Sequence, residues 1–298
     1  MSIIHDIQRQ FKQGSIVIQL IYVNVGVFLV TLLLRALFLL FNRELGGFFT
    51  LFELPASFPR LLSQPWSIVS YMFMHADLLH ILFNMLWLYW FGDLFLRVHS
   101  IKHLRGLYFL GGIMGGLCYM VSFNLFPYFH PLVASSLLLG ASASILAIVV
   151  AAAFRMPNTP INLFLFGTVR LKYLALFVVL FDVLLMTSDN AGGHIAHLGG
   201  ALTGWWFGAA LNKGHDITAW LNRIIDFLFG LFDKRTWIRQ RKPKVKVYKT
   251  GREQDYEYNA HKKQESEEID RILEKIKKSG YQNLTTAEKK RLFDASKR

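Results

Sequence analysis

Cysteine is nearly absent, with Cys118 alone in 298 residues, and that excludes an internal disulfide. Set in an apolar stretch, Cys118 reads as a small packing residue. Charge is also scarce over most of the chain. The first 212 residues hold 11 basic and 7 acidic side chains, while 22 of the 33 Lys and Arg and 13 of the 20 Asp and Glu fall in residues 213–298. Soluble domains carry about 25% charged residues throughout, so the body of this chain is not an ordinary soluble domain. Also lacking is a short apolar core followed by a small-residue cleavage site, the mark of a removable signal peptide. The first apolar run extends from Ser15 to Phe41 instead, long enough to stay in a bilayer as an anchor.

What is present is hydrophobicity: 53% of residues are hydrophobic and 15% aromatic. A bilayer core of about 30 Å takes roughly 20 apolar residues as a helix. Six segments approach that length, at about 16–40, 76–96, 104–125, 137–154, 171–188 and 191–211. This is the pattern of an all-α polytopic membrane protein. Residues 43–72 are apolar too, but Gly46, Gly47, Pro55, Pro59 and Pro65 break them. A broken backbone is unsatisfied in lipid, so this segment is expected to be a loop with short helices in the interface. Basic residues set the orientation. Arg9 and Lys12 precede the first segment, Arg97, Lys102 and Arg105 separate the second and third, and Arg155, Arg170 and Lys172 separate the fourth and fifth. The opposite side carries Arg43 and Arg60 in its long loop and no Lys or Arg in 124–139 or 186–193. Both termini are expected in the cytoplasm.

Polar groups inside apolar spans are costly and mark function. Here they are His75, His80, Asn84, Ser142, Asp182, His194 and His197. On the orientation above, the second, fourth and sixth spans run inward. His80 lies about four residues from entry and Ser142 and His197 about six, so all three sit roughly 6–10 Å below the outer surface. Asn84 follows His80 by one turn on the same face. Ser142 and His197 thus supply a nucleophile and a base for acyl transfer, and His80 and Asn84 are available as donors to an oxyanion. Asp182 is expected deeper, outside a two-residue dyad, and His194 as a cap or packing residue. Gly140, Gly199, Gly200 and Gly204 flank the pair, and small residues let membrane helices approach closely.

With these residues in hand, the stretch 60–211 resembles the rhomboid family of intramembrane serine proteases. Gly140-Ala141-Ser142 is similar to its Gly-x-Ser motif, and Ala196-His197-Leu198-Gly199-Gly200 with Gly204 to its histidine motif. His75-Ala76-Asp77-Leu78-Leu79-His80, continuing to Asn84, resembles its second-span motif. The resemblance implies a six-transmembrane-helix bundle of bacterial type in the inner membrane. It also implies Ser142 as nucleophile, His197 as base, and His80, Asn84 and the Ser142 N–H as the oxyanion hole. Single-span membrane proteins would be the substrates, with no metal or organic cofactor required. The chain departs from the pattern at Ala143, where Gly is frequent, at Leu146, where an aromatic often packs on the catalytic histidine, and at Trp66-Ser67, where many members have Trp-Arg.

Other chemistries compete for the same residues. A non-catalytic relative that binds or escorts membrane helices would generally lack the serine or histidine. A transporter would use Asp182 as a proton relay, although no internal repeat accompanies it. A metal site on the histidines lacks a Glu-containing zinc motif. The tail begins at residue 213. Ile217, Trp220, Leu221, Ile224, Ile225, Leu228, Leu231 and Phe232 form an amphipathic helix with Asn222, Arg223 and Asp226 opposite. The basic run Arg239 to Lys249 is expected to attract anionic lipid rather than nucleic acid. Residues 250–264 read as a polar linker. Beyond it a helical hairpin carries a stripe of Ile269, Ile272, Leu273 and Ile276, a cap at Ser279-Gly280 and a Thr285/Glu288 capping box. The division expected is a membrane domain over 1–212, a juxtamembrane segment over 213–249 and a small helical tail over 250–298.

Overall fold

The computed structural model describes residues 14–42, 46–163, 167–232 and 252–296. The basic run Arg239 to Lys249 therefore lies outside the described residues. Six helices follow the six apolar segments: α1 (Ile16–Leu40), α2 (Leu78–Leu96), α3 (Ile101–Leu125), α4 (Ser142–Arg155), α5 (Leu171–Leu184) and α6 (Ala191–Asn212). Among the described residues α1, α2 and α3 are long and apolar enough to cross a membrane, and α4 is a shorter apolar helix.

Close packing centres on α3, α4 and α6. Glycine makes that possible. A Cβ on Gly200 or Gly204 would collide with the backbone carbonyl of Ala143 or Ala147, so α6 lies directly against α4. α1 and α5 are peripheral. Leu33, Leu39 and Leu40 of α1 and Phe177, Leu180 and Leu184 of α5 are exposed, the outward apolar faces that a helix turned to lipid presents.

The broken segment before α2 forms short helices at Phe58–Ser63 and Ser67–Ser70 and a strand β1 (Leu54–Pro55). It does more than line an interface. β1 pairs antiparallel with β2 (Leu137–Leu138), and Leu54, Ala56, Tyr71 and Met72 are fully enclosed by protein. The polar backbone of this segment is thus satisfied inside the bundle.

Two outer boundaries differ from the sequence expectation. The fourth segment enters as extended chain and becomes helical only at Ser142, because Gly140 adopts φ +117° and breaks the helical path. The fifth ends at Leu184 rather than 188, with turns following to Asn190. A hairpin of β3 (Pro160–Leu163) and β4 (Gly167–Arg170) joins α4 to α5, and the apolar patterning gave no sign of it.

The described chain forms two compact units, Met1–Asp233 and Lys234–Arg298. The first includes the amphipathic helix α7 (Ala219–Phe232). The polar side of α7 is covered in part by α3, with Arg223 and Asp226 left exposed. Asn222 is buried, and Arg105 of α3 donates to Asn222 Oδ1 at 2.9 Å and Asp226 Oδ1 at 2.6 Å. Arg105 and, at longer range, Lys102 hold the Asp226 carboxyl below the usual carboxylate range. Trp220, Ile224, Phe227 and Leu228 remain exposed, while Leu221 and Ile225 pack on Leu110.

In the second unit the expected linker is helical, because α8 (Arg252–Ser279) begins at Arg252. Gly280 ends it at φ +80°. The Thr285 N–H donates to Glu288 at 2.7 Å and the Glu288 N–H to Thr285 Oγ1 at 3.3 Å, forming a capping box that opens α9 (Thr286–Ser296). Lys275 and Arg291 pair across the hairpin with Glu288 and Glu268.

Candidate active site

Gly140 decides where Ser142 sits. Its N–H donates to Tyr71 O at 2.9 Å, and its positive φ turns the chain so that Ser142 becomes the first residue of α4. The first N–H groups of a helix have no intrahelical acceptor, and the helix dipole is positive there. The Ser142 hydroxyl therefore lies beside free backbone donors.

His197, two turns into α6, reaches that hydroxyl. Its Nε2 is 2.6 Å from Ser142 Oγ. On the other side of the ring, Nδ1 is 2.9 Å from Asp182 Oδ1. Asp182 is buried, with 3% of its side chain exposed. A carboxylate accepts, so Nδ1 carries the proton and Nε2 offers its lone pair to Ser142.

Asp182 corrects the expectation of a two-residue arrangement. The greater depth expected for it does not follow from the sequence. With α5 ending at Leu184, Asp182 lies near the end where the chain turns over into α6. His194 also departs from its expected role, since its Nδ1 lies 2.8 Å from the same Asp182 oxygen. Counting Asp182 from the outer end of its own span would have put it level with Ser142 and His197.

His80 and Asn84 converge on the same place. Asp77 caps α2 by accepting from the His80 N–H at 2.9 Å. The His80 ring lies over Gly140, where a Cβ would come within 2.8 Å of Nε2. The Ala76 N–H points at Nδ1 from 3.5 Å, which leaves the Nε2 proton directed toward the serine loop. Asn84 is buried and spends one amide proton on His80 O at 3.0 Å. Its other proton is available. His75 is buried, with its ring 5.1 Å from that of His80.

These groups open on one cavity of about 1050 Å³, lined by His80, Asn84, Ser142 and His197 together with Trp87 of α2 and Val178 of α5. Leu146, where an aromatic was the family expectation, is buried at its edge.

The rhomboid domain matches residues 62–214, just over half of the chain. The chain belongs to the rhomboid family. It is a multi-pass membrane protein of a family that includes intramembrane serine proteases and also inactive relatives. This rhomboid is 29% identical over 191 residues to Rhomboid-related protein 1 of Caenorhabditis elegans, covering 60% of the chain and 50% of the relative. It is 29% identical over 157 residues to RHOMBOID-like protein 12, mitochondrial, of Arabidopsis thaliana, covering 50% and 47%. The chain spans about half the length of these relatives. Residues 253–298 match a second family, DUF6576, of unknown function.

Proposed function

We propose that this rhomboid is an intramembrane serine endopeptidase that cleaves single-span membrane proteins. The observation that carries the reading is the continuous hydrogen-bonded chain from Ser142 Oγ through His197 to Asp182. His197 Nε2 takes the hydroxyl proton as Oγ attacks the scissile carbonyl carbon. The oxyanion forms against the Ser142 N–H, His80 Nε2–H and the free Asn84 amide proton. Collapse breaks the C–N bond, and His197 returns its proton to the leaving amine. Water, activated by the same histidine, then hydrolyses the acyl-enzyme.

Asp182 acts as a positioning residue. Leu146 offers His197 no aromatic surface to stack on, and the carboxylate fixes the ring and its tautomer instead. It also stabilises the imidazolium formed during attack.

Under this proposal α1 to α6 are six spans and both termini are cytoplasmic, as the basic residues favour. The cavity then faces outward, and the peripheral α5, with its exposed apolar face, borders a sideways entrance from lipid between Trp87 and Val178. The bacterial inner membrane is the proposed location. The domain division at about residue 213, and anionic lipid as the partner of the basic run, belong to the same proposal.

A fluorophosphonate probe tests the chemistry. Labelling is expected in the wild type and lost in both Ser142→Ala and His197→Ala. Equal labelling of the wild type and Ser142→Ala would overturn it and favour a non-catalytic binder of membrane helices. Co-expression with single-span proteins, comparing wild type with Ser142→Ala, identifies the substrate.

A further inference from the structure

Two imidazole nitrogens on one buried carboxylate oxygen form an arrangement that peptide hydrolysis does not need. We propose that Asp182, His194 and His197 form a binding site for a divalent transition-metal ion of the zinc type, and that its occupation switches the protease off. The switch rests on the reading of His197 as the base; the metal site does not.

Geometry comes first. His194 and His197 lie three residues apart on α6, hence on one face. Their Nδ1 atoms are 2.8 and 2.9 Å from Asp182 Oδ1, and the ligand atoms of the three residues lie within 4.8 Å of one another. A tetrahedral zinc ion with bonds of about 2.0–2.2 Å holds its ligands roughly 3.3–3.5 Å apart. Small side-chain rotations bring this set to that spacing, with the ion taking the place of the two Nδ1 protons.

The chemistry of the donors fits the same ion. Two imidazoles and one carboxylate suit zinc or its first-row neighbours better than magnesium or calcium, which take oxygen ligands. Three protein ligands leave a fourth position for water. An independent observation also points to a missing ligand: among the described residues Asp182 Oδ2 is buried and has no hydrogen-bond partner. Buried carboxylate oxygens are normally satisfied, and a cation beside this carboxylate supplies the missing positive charge. An ion has a route in, because the His194 and His197 side chains are 13% and 22% exposed and His197 lines the cavity.

The consequence for Ser142 follows from proton counting. A neutral imidazole carries one ring proton. When Nδ1 binds the metal, that proton must reside on Nε2, so His197 exchanges its Nδ1 proton for one on Nε2 with no net change. Nε2–H then donates to Ser142 Oγ. It no longer has a lone pair with which to take the hydroxyl proton, and attack stops.

The test uses full-length protein without a polyhistidine tag, in detergent. Zinc is titrated into Ser142→Ala against a chromogenic chelator, and cobalt is added separately to read the visible bands of tetrahedral coordination. One ion per chain is expected, lost in Ser142→Ala proteins that also carry His194→Phe or Asp182→Asn. In activity assays, zinc should inhibit the wild type, and a chelator should reverse the effect. His194→Phe should keep its activity in chelator while needing at least about tenfold more zinc for inhibition, since even the loss of an outer-shell partner of a metal ligand costs about that much. Stoichiometric binding that survives His194→Phe and Asp182→Asn, or no binding in Ser142→Ala, overturns the site. A zinc-loaded wild type that remains active overturns the switch. A wild type inactive in chelator overturns the protease reading and the switch with it, while the titration still decides the site.

Discussion

Asp182 on α5 and His197 on α6 are joined by a 2.9 Å hydrogen bond between Oδ1 and Nδ1, and this bond determines which nitrogen of His197 faces Ser142. Replacing the carboxylate by an amide removes the charge and allows an N–H to face Nδ1, favouring the wrong tautomer. Asp182→Asn is expected to lower kcat by about 10²–10⁴-fold with little change in KM. Steady-state cleavage in detergent separates the two. A kcat within threefold of wild type would remove Asp182 from the mechanism.

The contact between α4 and α6 carries the site, since one helix bears Ser142 and the other His197. Gly200 faces the Ala143 carbonyl with no room for a methyl group, and a backbone oxygen cannot rotate away. Gly200→Ala is therefore expected to cost about 1–3 kcal/mol and to weaken fluorophosphonate labelling. Thermal unfolding in detergent reads the first effect, and a labelling time course the second.

Beyond the end of α2, His99 packs at a tilt against Phe95 with ring centroids 4.4 Å apart. Burial, then His103 and Arg155, pull its pKa down to about 4 from an ordinary 6.5; Asp216 faces His103 from 3.5 Å. The folded protein keeps His99 neutral while the unfolded chain takes up a proton below pH 6.5. His99 therefore contributes fully above pH 6.5, and stability falls as pH drops from 6.5 toward 4. Unfolding midpoints measured across that window should decline in the wild type and decline less in His99→Phe. Parallel curves would exclude His99 as a source of the slope.

Arg105 anchors α7 through Asn222 and Asp226. Truncation leaves the buried Asn222 carbonyl unpaired, a loss of roughly 1–3 kcal/mol. Arg105→Ala should therefore speed amide exchange several-fold or more over residues 219–232 and leave α4 and α6 unchanged. Exchange measured by mass spectrometry tests this, and unchanged rates over α7 would show that its apolar contacts hold it alone.

In the second unit, Lys275 and the Thr285 N–H hold the Glu288 carboxyl down at about 2. A depressed carboxyl contributes above its ordinary value near 4.5 and loses that contribution as pH falls toward 2. Protection factors over α9, taken against the intrinsic exchange rate at each pH, are expected to fall on acidification through this range, and less so in Glu288→Gln.

Much was written in the local pattern of residues. Apolar runs mark six helices, three of them long and apolar enough to cross a membrane, and the capping box at Thr285 and Glu288 acts within four residues. Ser142, His197, His80 and Asn84 could be singled out because polar groups in apolar helices are costly. Tertiary structure decided the rest. The start of α4 at Ser142 depends on the positive φ of Gly140 and its hydrogen bond to Tyr71, a residue 69 positions earlier. The pairing of Asn222 and Asp226 on α7 depends on Arg105, more than a hundred residues away. Asp182 is the clearest case. Its distance from the outer end of the fifth segment matches those of Ser142 and His197 from theirs, but the sequence does not say which helices it faces. The packing of α5 on α6 brings the carboxylate beside His194 and His197. A lone acid in the sequence thereby becomes the group that orients His197 toward Ser142.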